Sequence, residues 1–475
     1  MNYELKKIAE NFFMVKRHGR MKVNAVVVSR EDQLAQIGKD KSLHQLVNMA
    51  ALPGAVDPVL AMPDMHQGYG FPIGGVGVFN TDEGIVSPGG VGYDINCGVR
   101  LLATGLHFGD IEKETGKISG LLGSFVPAGV GRGGKYTVKD RDLENVLEQG
   151  CRWAVKKGFA DQSDLERIED GGCLTGAEPD SVSERAKKRG FDQLGTLGSG
   201  NHFLEIQRVD QIYNPAAARH FGLSDGQVTV MIHSGSRGLG YQVCDDYLAE
   251  FLKYAHREKI ELPERELAYA ALDSDEARSY LGAMSAAANY AFVNRQLLSF
   301  LTEETLQRMF PGLRLSLIYD VCHNIAKFEE FEINGRTRQY CVHRKGATRA
   351  LPPGHPLLPE CYRPIGQPAI IPGSMGTASY LLVGKPEITQ KTFNSVCHGA
   401  GRLFSRKAAT RKLDFTSLMR DLEQKGIVIF GHSKRGLLEE MPDAYKDIDT
   451  VVDVVEKAGL AVKIARFVPM VVIKG

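Results

Sequence analysis

The sequence predicts a mixed α/β (α+β) fold, a single large irregular domain over residues 1–475. Three observations carry that expectation. Helical and strand-like periodicities interleave without the regular alternation of a barrel or a doubly wound sheet. Residues 64–100 hold 10 glycines in 37 positions, against 52 in all 475. No change of composition marks a boundary, and hydrophobic residues at 43% with charged residues at 24% suit a soluble chain whose core needs no disulfide.

The elements follow in order. "MNYELKKIAENFFMVKRHG" lacks the apolar core of a leader peptide and reads as an amphipathic helix. Residues 31–51 carry helical periodicity. The glycine-rich stretch 64–100, with GGVG at 74–77 and 89–92, suits short strands whose turns let backbone approach backbone or ligand. A helix is expected over 142–158 and a strand over 228–233 (VTVMIH). Helices over 241–258 and 274–309, the latter opened by a Ser274 capping signal, form a helical insertion at about 241–310. Strands are expected over 315–322 (LSLIYDVC), 427–430 and 466–473, and the Pro/Gly-rich 351–376 reads as a long surface connection.

Composition also excludes some functions. Lys+Arg 58 against Asp+Glu 57 leaves a net charge of +1, which argues against a polybasic protein while allowing a local basic groove. No apolar run reaches the roughly 18 residues of a membrane span. The eight scattered cysteines contain no CxxC, as expected for a reducing compartment and a cytoplasmic location.

Four of the thirteen histidines share one context, the end of an apolar strand beside small residues. They are His202 in LGSGNHFLEI, His233 in VTVMIHSGSRGLG, His323 in LSLIYDVCHNIAK and His398 in FNSVCHGAGR. Asp94 and Cys97 lie in the glycine turn GYDINCGVR. Imidazole, thiolate and carboxylate together suit Zn²⁺, Fe²⁺, Co²⁺ or Mn²⁺, softness favours zinc, and a bridging thiolate lets such a set hold two cations. His18, His44, His107, His220, His256, His355 and His432 read as surface or packing residues. His66 in PDMHQGYG is open between a supporting contact, a substrate contact and a turn residue. His343, beside Arg344, Lys345 and Arg349, is open between an anion contact and a solvated basic loop over 343–349.

GVGRGGK at 129–135 mimics a phosphate loop, but Tyr136 stands where Ser or Thr is needed. In NHFLEI, strand alternation puts His202 and Leu204 on one face and Phe203 and Glu205 on the other. A phenyl ring beside a carboxylate suits guanine, whose N1–H and 2-amino group both donate; a plain half-buried strand is the alternative. HGAGRLFSR places Arg402 and Arg406 at i, i+4, and a helix starting there suits phosphate, with His398 set as a nucleophile. Lys407, Arg411 and Lys412 extend the basic run, read either as a nucleic-acid contact or as a solvated helix face.

PDMHQGYGFPIGG, GGVGYDINCGVR, GSGNHFLEI, HSGSRGLG, VCHN, PGSMGTASY, VCHGAGRLFSR, EEMPDAYKDID and the final VVIKG occur in this order. As a set they closely resemble the RtcB family of GTP-dependent RNA-splicing ligases, over nearly the whole chain. The resemblance implies mixed sheets around a deep metal-containing cleft. It also implies that RNA ends bearing a 2′,3′-cyclic phosphate or 3′-phosphate are joined to 5′-hydroxyl ends, in tRNA splicing or RNA repair. His398 would be guanylylated by GTP, and two Mn²⁺ ions would lie on Asp94, Cys97, His202, His233 and His323, with Cys97 bridging. Guanylate contacts would fall on Asn201, His202, Phe203, Leu204, Glu205, His323, Asn324, Pro372, Gly373, Ser374, Met375, Ser379, His398, Gly399, Ala400, Gly401 and Lys474. Arg237, Arg402 and Arg406 would hold the RNA phosphate, and archease is the activating partner the resemblance suggests. A metal-dependent phosphoesterase using the same ligands and a non-catalytic RNA-binding subunit are the competing readings.

Overall fold

His323 alone separates strand Ser316–Cys322 of one large sheet from strand Asn324–Ile333 of another, so the chain crosses between the sheets at a candidate ligand. The computed structural model describes residues 3–129, 131–412, 414–431 and 433–475, and the architecture is mixed α/β. The first sheet runs Lys6–Ala9, Phe12–Val15, Ala25–Val28, Val59–His66, Ile73–Asn80, Arg336–Lys345, Asn324–Ile333. Its neighbours are antiparallel except Ala25–Val28 and Val59–His66. The second runs Ser316–Cys322, Gly98–His107, Gln227–Ser234, Phe203–Ile212, Ala461–Lys474, Ser379–Gly384, Pro368–Ile371, with Val428–Gly431 laid parallel on Ala461–Lys474. A two-stranded ladder, Ala347–Arg349 with Ser395–Cys397, leads directly to His398.

The core explains why the sheets can be apolar on both faces. Helix Asp275–Leu306 is buried along most of its length, and its Ala- and Leu-rich sides pack with helix Arg237–Arg257 and with residues of the first sheet. Ser274 caps it by accepting from the Ala277 amide. The strands and long helices stand where periodicity places them, each within a few residues: Arg237–Arg257, Asp275–Leu306, Gln227–Ser234, Ser316–Cys322, Val428–Gly431 and Ala461–Lys474.

Six expectations are corrected. The N-terminal segment is a β-hairpin, because Asn11 turns the chain at φ 61° and lets Phe12, Phe13 and Val15 bury while Lys6–Ala9 stays exposed. The helix over 31–51 is broken into Glu31–Gln33, Leu34–Ile37 and Ser42–Met49, and that over 142–158 is broken at Gly150, whose φ is 52°. Within 351–376, Pro368–Ile371 is a buried strand with Leu358 and Tyr362 packed nearby, not surface loop. The basic stretch 343–349 is buried strand as well, since Arg344 pairs with Glu329, Arg349 pairs with Glu169 and Asp170, and Lys345 donates to the Tyr69 and Gly89 carbonyls. His343 there accepts from the Ser87 amide at 3.2 Å between Phe71 and Phe79, and burial pushes its pKa down to about 3. Finally, no helix begins at 398; the helix is Arg406–Lys412, so Arg402 precedes it. His432 lies outside the described residues.

Candidate functional site

Strand register gathers the ligands that sequence separates. In the second sheet Cys322 pairs with Gly98, Gly98 with Ser234, and Phe203 with His233. Cys97, His202, His233 and His323 therefore stand at one end of four adjacent strands, with His202 just before its strand rather than at the far end of one. Cys97 Sγ is 3.2 Å from His233 Nε2 and 3.4 Å from His202 Nε2. His202 Nε2 is 2.7 Å from Asp94 Oδ2, and His233 Nε2 is 3.4 Å from His323 Nε2.

These contacts form two overlapping triads, Asp94–Cys97–His202 and Cys97–His233–His323, sharing the thiol. Burial pushes His233 and His323 far below the usual imidazole range, so both rings are neutral and present lone pairs. His202 turns Nδ1 to the Leu197 carbonyl at 2.9 Å, which aims Nε2 at Cys97 and Asp94. Burial raises the Asp94 carboxyl, yet the facing His202 and the more distant Arg237 outweigh it and hold the pKa at about 2. Burial, then Asp94, pushes the Cys97 thiol up. Convergent lone pairs with few protons between them fit a cation, and a divalent ion turns such a thiol into thiolate.

The support comes from behind. Arg295, wholly buried on helix Asp275–Leu306, donates to the Asn96 carbonyl at 2.7 Å, to Asn96 Oδ1 at 2.9 Å and to the Ser234 carbonyl at 3.1 Å. It is paired with Asp320, which also accepts from Arg100 Nε at 2.7 Å. Residues adjoining Cys97 and His233 are thus pinned by one guanidinium. Gly235 belongs to the same packing, because a Cβ there would lie 2.3 Å from Asp94 Oδ1.

His398 faces this set from the end of the two-stranded ladder, its ring centroid 4.9 Å from that of His323. Asp64 Oδ2, fully buried, accepts from His398 Nδ1 at 2.5 Å, from the His398 amide at 2.9 Å and from the Gly399 amide at 3.3 Å. Burial opposes the Asp64 charge, but His398 outweighs it and keeps the carboxyl below its ordinary range. One carboxylate oxygen thereby fixes both ring and backbone, leaving His398 Nε2 as the unshared lone pair. Sequence reading missed Asp64, although its aspartate stands two residues before His66 in a motif already singled out. It also missed Arg295, Asp320 and Glu440.

A cleft of about 740 Å³ holds these groups. Asp94, Cys97, Asn201, Phe203, His233, His323, Asn324, Pro372, Gly373, Ser374, His398, Gly399, Ala400, Gly401, Arg402, Arg406 and Lys474 line it. His66 also lines it; burial drops its pKa to about 4, and its Nδ1 faces the Asp64 carbonyl at 3.0 Å. Phe203 packs edge-on to His233, and Lys474 Nζ lies 5.7 Å from the Phe203 ring centroid. Glu205, on the Phe203 face, is buried with Oε1 lacking a hydrogen-bond partner, while Oε2 accepts from Gln207 at 2.7 Å. Ser379 Oγ accepts from the Gly373 amide at 3.1 Å and so shapes the 372–375 turn. Leu204 and Met375 pack into hydrophobic clusters.

The three arginines are held differently. Arg237, half-buried beside His202, donates through Nε to Thr196 Oγ1 at 3.2 Å. Arg402 donates to Glu440 Oε2 at 3.1 Å, to Tyr445 at 2.9 Å and to the carbonyls of Glu439 and Phe404, so its fork is largely engaged. Arg406 gives Nε to Glu440 Oε1 at 3.1 Å.

Comparison with known proteins accords with this assembly. A family model described as tRNA-splicing ligase RtcB matches residues 45–475. The chain is 48% identical over 460 residues to the tRNA-splicing ligase RtcB of Thermococcus kodakarensis, covering 96% of this chain and 95% of the relative. It is 49% identical over 447 residues to that of Archaeoglobus fulgidus, covering 93% of each. With the RNA-splicing ligase RtcB of Mycobacterium tuberculosis it shares 48% identity over 437 residues, 91% of this chain and 100% of the relative. The chain belongs to the RtcB family.

Proposed function

We propose that this protein is a cytoplasmic GTP-dependent RNA ligase joining 3′-phosphate or 2′,3′-cyclic phosphate ends to 5′-hydroxyl ends. The observation that carries it is the Asp64–His398 pair, because it leaves an imidazole Nε2 lone pair facing the metal-type donor cluster. A phosphoesterase that activates water on the same ligands would leave this histidine without a nucleophilic role. Asp94, Cys97 and His202 would hold one Mn²⁺ and Cys97, His233 and His323 a second; bound there, the ions supply charge neutralisation for phosphates.

The residues divide the work as follows. His398 Nε2 attacks the α-phosphorus of GTP, forming a P–N bond as the bond to the bridging oxygen breaks and pyrophosphate departs. The ring gains positive charge in that step, and Asp64 stabilises it through the Nδ1–H bond. An RNA 3′-phosphate oxygen then takes the guanylyl group, breaking the P–N bond; a 2′,3′-cyclic end first adds water, which breaks its P–O2′ bond and yields that 3′-phosphate. The 5′-hydroxyl finally displaces GMP to close the RNA. Phe203 and Glu205 suit the guanine base, the free Oε1 of Glu205 awaiting a pair of N–H donors. Archease fits as an activator of this sequence.

Incubating the protein with α-labelled GTP and Mn²⁺ tests the reading. An acid-labile protein–GMP adduct is expected, and it is lost in His398→Ala. Failure to label under any divalent metal, with phosphoester cleavage independent of GTP, would point to the phosphoesterase reading instead.

A further inference from the structure

A line of tyrosines leads out of the cleft beside Asp94. Tyr93, between Gly92 and Asp94, lies stacked on Tyr241 with centroids 4.6 Å apart and planes at 23°. Tyr69 meets Tyr93 edge-on at 6.0 Å. Arg189 covers Tyr241, its guanidinium carbon 5.2 Å from the ring centroid, and is held there by donating to Gln242 Oε1 at 3.0 Å. Tyr241 stands one turn beyond Arg237 on helix Arg237–Arg257, so both share a face of that helix.

Two of these rings are left open to solvent. Tyr69 is 65% exposed, the most exposed of the large hydrophobic side chains among the described residues, and Tyr241 is 46% exposed. Packing does not account for aromatic area left in water at the rim of a polar cleft. The surroundings say what would cover it. Helix Glu184–Gly190, which carries Arg189, also exposes Arg185 and Lys188. A row of tyrosine rings closed at one end by a guanidinium, beside a cationic helix, forms the surface on which unpaired nucleobases stack while phosphates meet the cations.

We propose that Tyr69, Tyr93, Tyr241 and Arg189 form a stacking track for the unpaired bases of the RNA strand next to its reacting end. The proposal rests on the RNA-ligase reading above. Every base has a π-face, so the track is indifferent to sequence and favours single-stranded ends over fully paired ones.

Binding of a short single-stranded RNA with a 3′-phosphate, followed by fluorescence anisotropy at fixed salt, tests it with the full-length protein. Replacing the bases near the reacting end by abasic sites weakens binding to the wild-type protein by roughly 5- to 100-fold. Tyr241→Ala weakens the intact RNA by a similar factor and adds little further loss with abasic RNA; Tyr241→Phe and Tyr241→Trp bind as wild type. Equal affinity of the wild-type protein for intact and abasic RNA overturns the track, and so does a Tyr241→Phe loss as large as that of Tyr241→Ala. Guanylylation of the wild-type protein is measured in parallel. A wild type that neither labels with GTP nor binds RNA removes the ligase reading itself; one that labels but ignores abasic sites removes the track alone.

Discussion

Asp64 shows how much can rest on one oxygen. Its Oδ2 holds the His398 ring and two backbone amides, so Asp64→Asn replaces a charged acceptor by an amide that satisfies fewer of the three donors. Adduct formation with GTP is expected to slow by roughly 10²- to 10⁴-fold in Asp64→Asn, with GTP affinity nearly unchanged. A rate within a few-fold of wild type in rapid-quench labelling would remove Asp64 from the mechanism. Glu205 gives a pH prediction. Burial lifts its pKa from 4.5 to about 8, so between those values the folded protein keeps a proton that the unfolded chain releases, and this group's contribution to stability falls as pH rises through that window. Guanine recognition needs the ionised carboxylate, so GTP binding below pH 8 expels the proton. Affinity should therefore rise about tenfold per pH unit between pH 6.5 and 7.5 and level off above 8. Calorimetric titration in buffers of different ionisation heat reads the released proton, and Glu205→Gln should abolish it.

At the scale of elements, the His398 turn depends on a close backbone approach. Gly401 has φ 72°, and a Cβ there would sit 2.2 Å from the Asp64 carbonyl oxygen. Gly401→Ala should cut adduct formation more than tenfold while the protein stays folded by circular dichroism. Gly222 shares φ 72° with nothing within 4 Å, so Gly222→Ala separates backbone strain from displacement of Asp64 and should retain activity. The long elements were legible in sequence because helix Asp275–Leu306 runs 32 residues from a capping serine and strand Ala461–Lys474 ends in a nearly continuous apolar run. The N-terminal hairpin was not, since four-residue strands such as Phe12–Val15 are too short to show a period and their pairing partner is set by the sheet. Residues 343–349 misled for another reason. Their arginines are neutralised by Glu169, Asp170 and Glu329, and Lys345 is held by the Tyr69 and Gly89 carbonyls, all distant in sequence. The metal-type donors were visible as recurring strand-end histidines, whereas Asp64 and Arg295 act through long-range contacts that no local pattern carries.

For the whole molecule, the donor cluster sits where the ends of four hydrogen-bonded strands and the Asp94 turn converge. Asp94 and Cys97 precede one strand, His202 precedes another, His233 ends a third, and His323 joins a strand of one large sheet directly to a strand of the other. A cation bound there belongs to the folded state alone, because the unfolded chain scatters these donors over more than two hundred residues. At a free concentration of about 100 times its Kd, an ion binding one site stabilises the fold by about 2.7 kcal/mol. With an unfolding entropy near 2.1 cal/mol/K per residue, a chain of this length that unfolds as one unit gains about 3 °C in Tm. Mn²⁺ should therefore raise the melting temperature and a chelator should lower it. Cys97→Ala, which removes the atom common to both triads, should lose most of the response. His398→Ala should keep it, since His398 takes no part in either triad and its anchoring is to Asp64. Calorimetric scans of these three proteins with Mn²⁺ and with chelator decide the matter. A melting temperature that ignores Mn²⁺ in the wild type, or responds equally in Cys97→Ala, would mean that the cluster is held by hydrogen bonds and is not a metal centre.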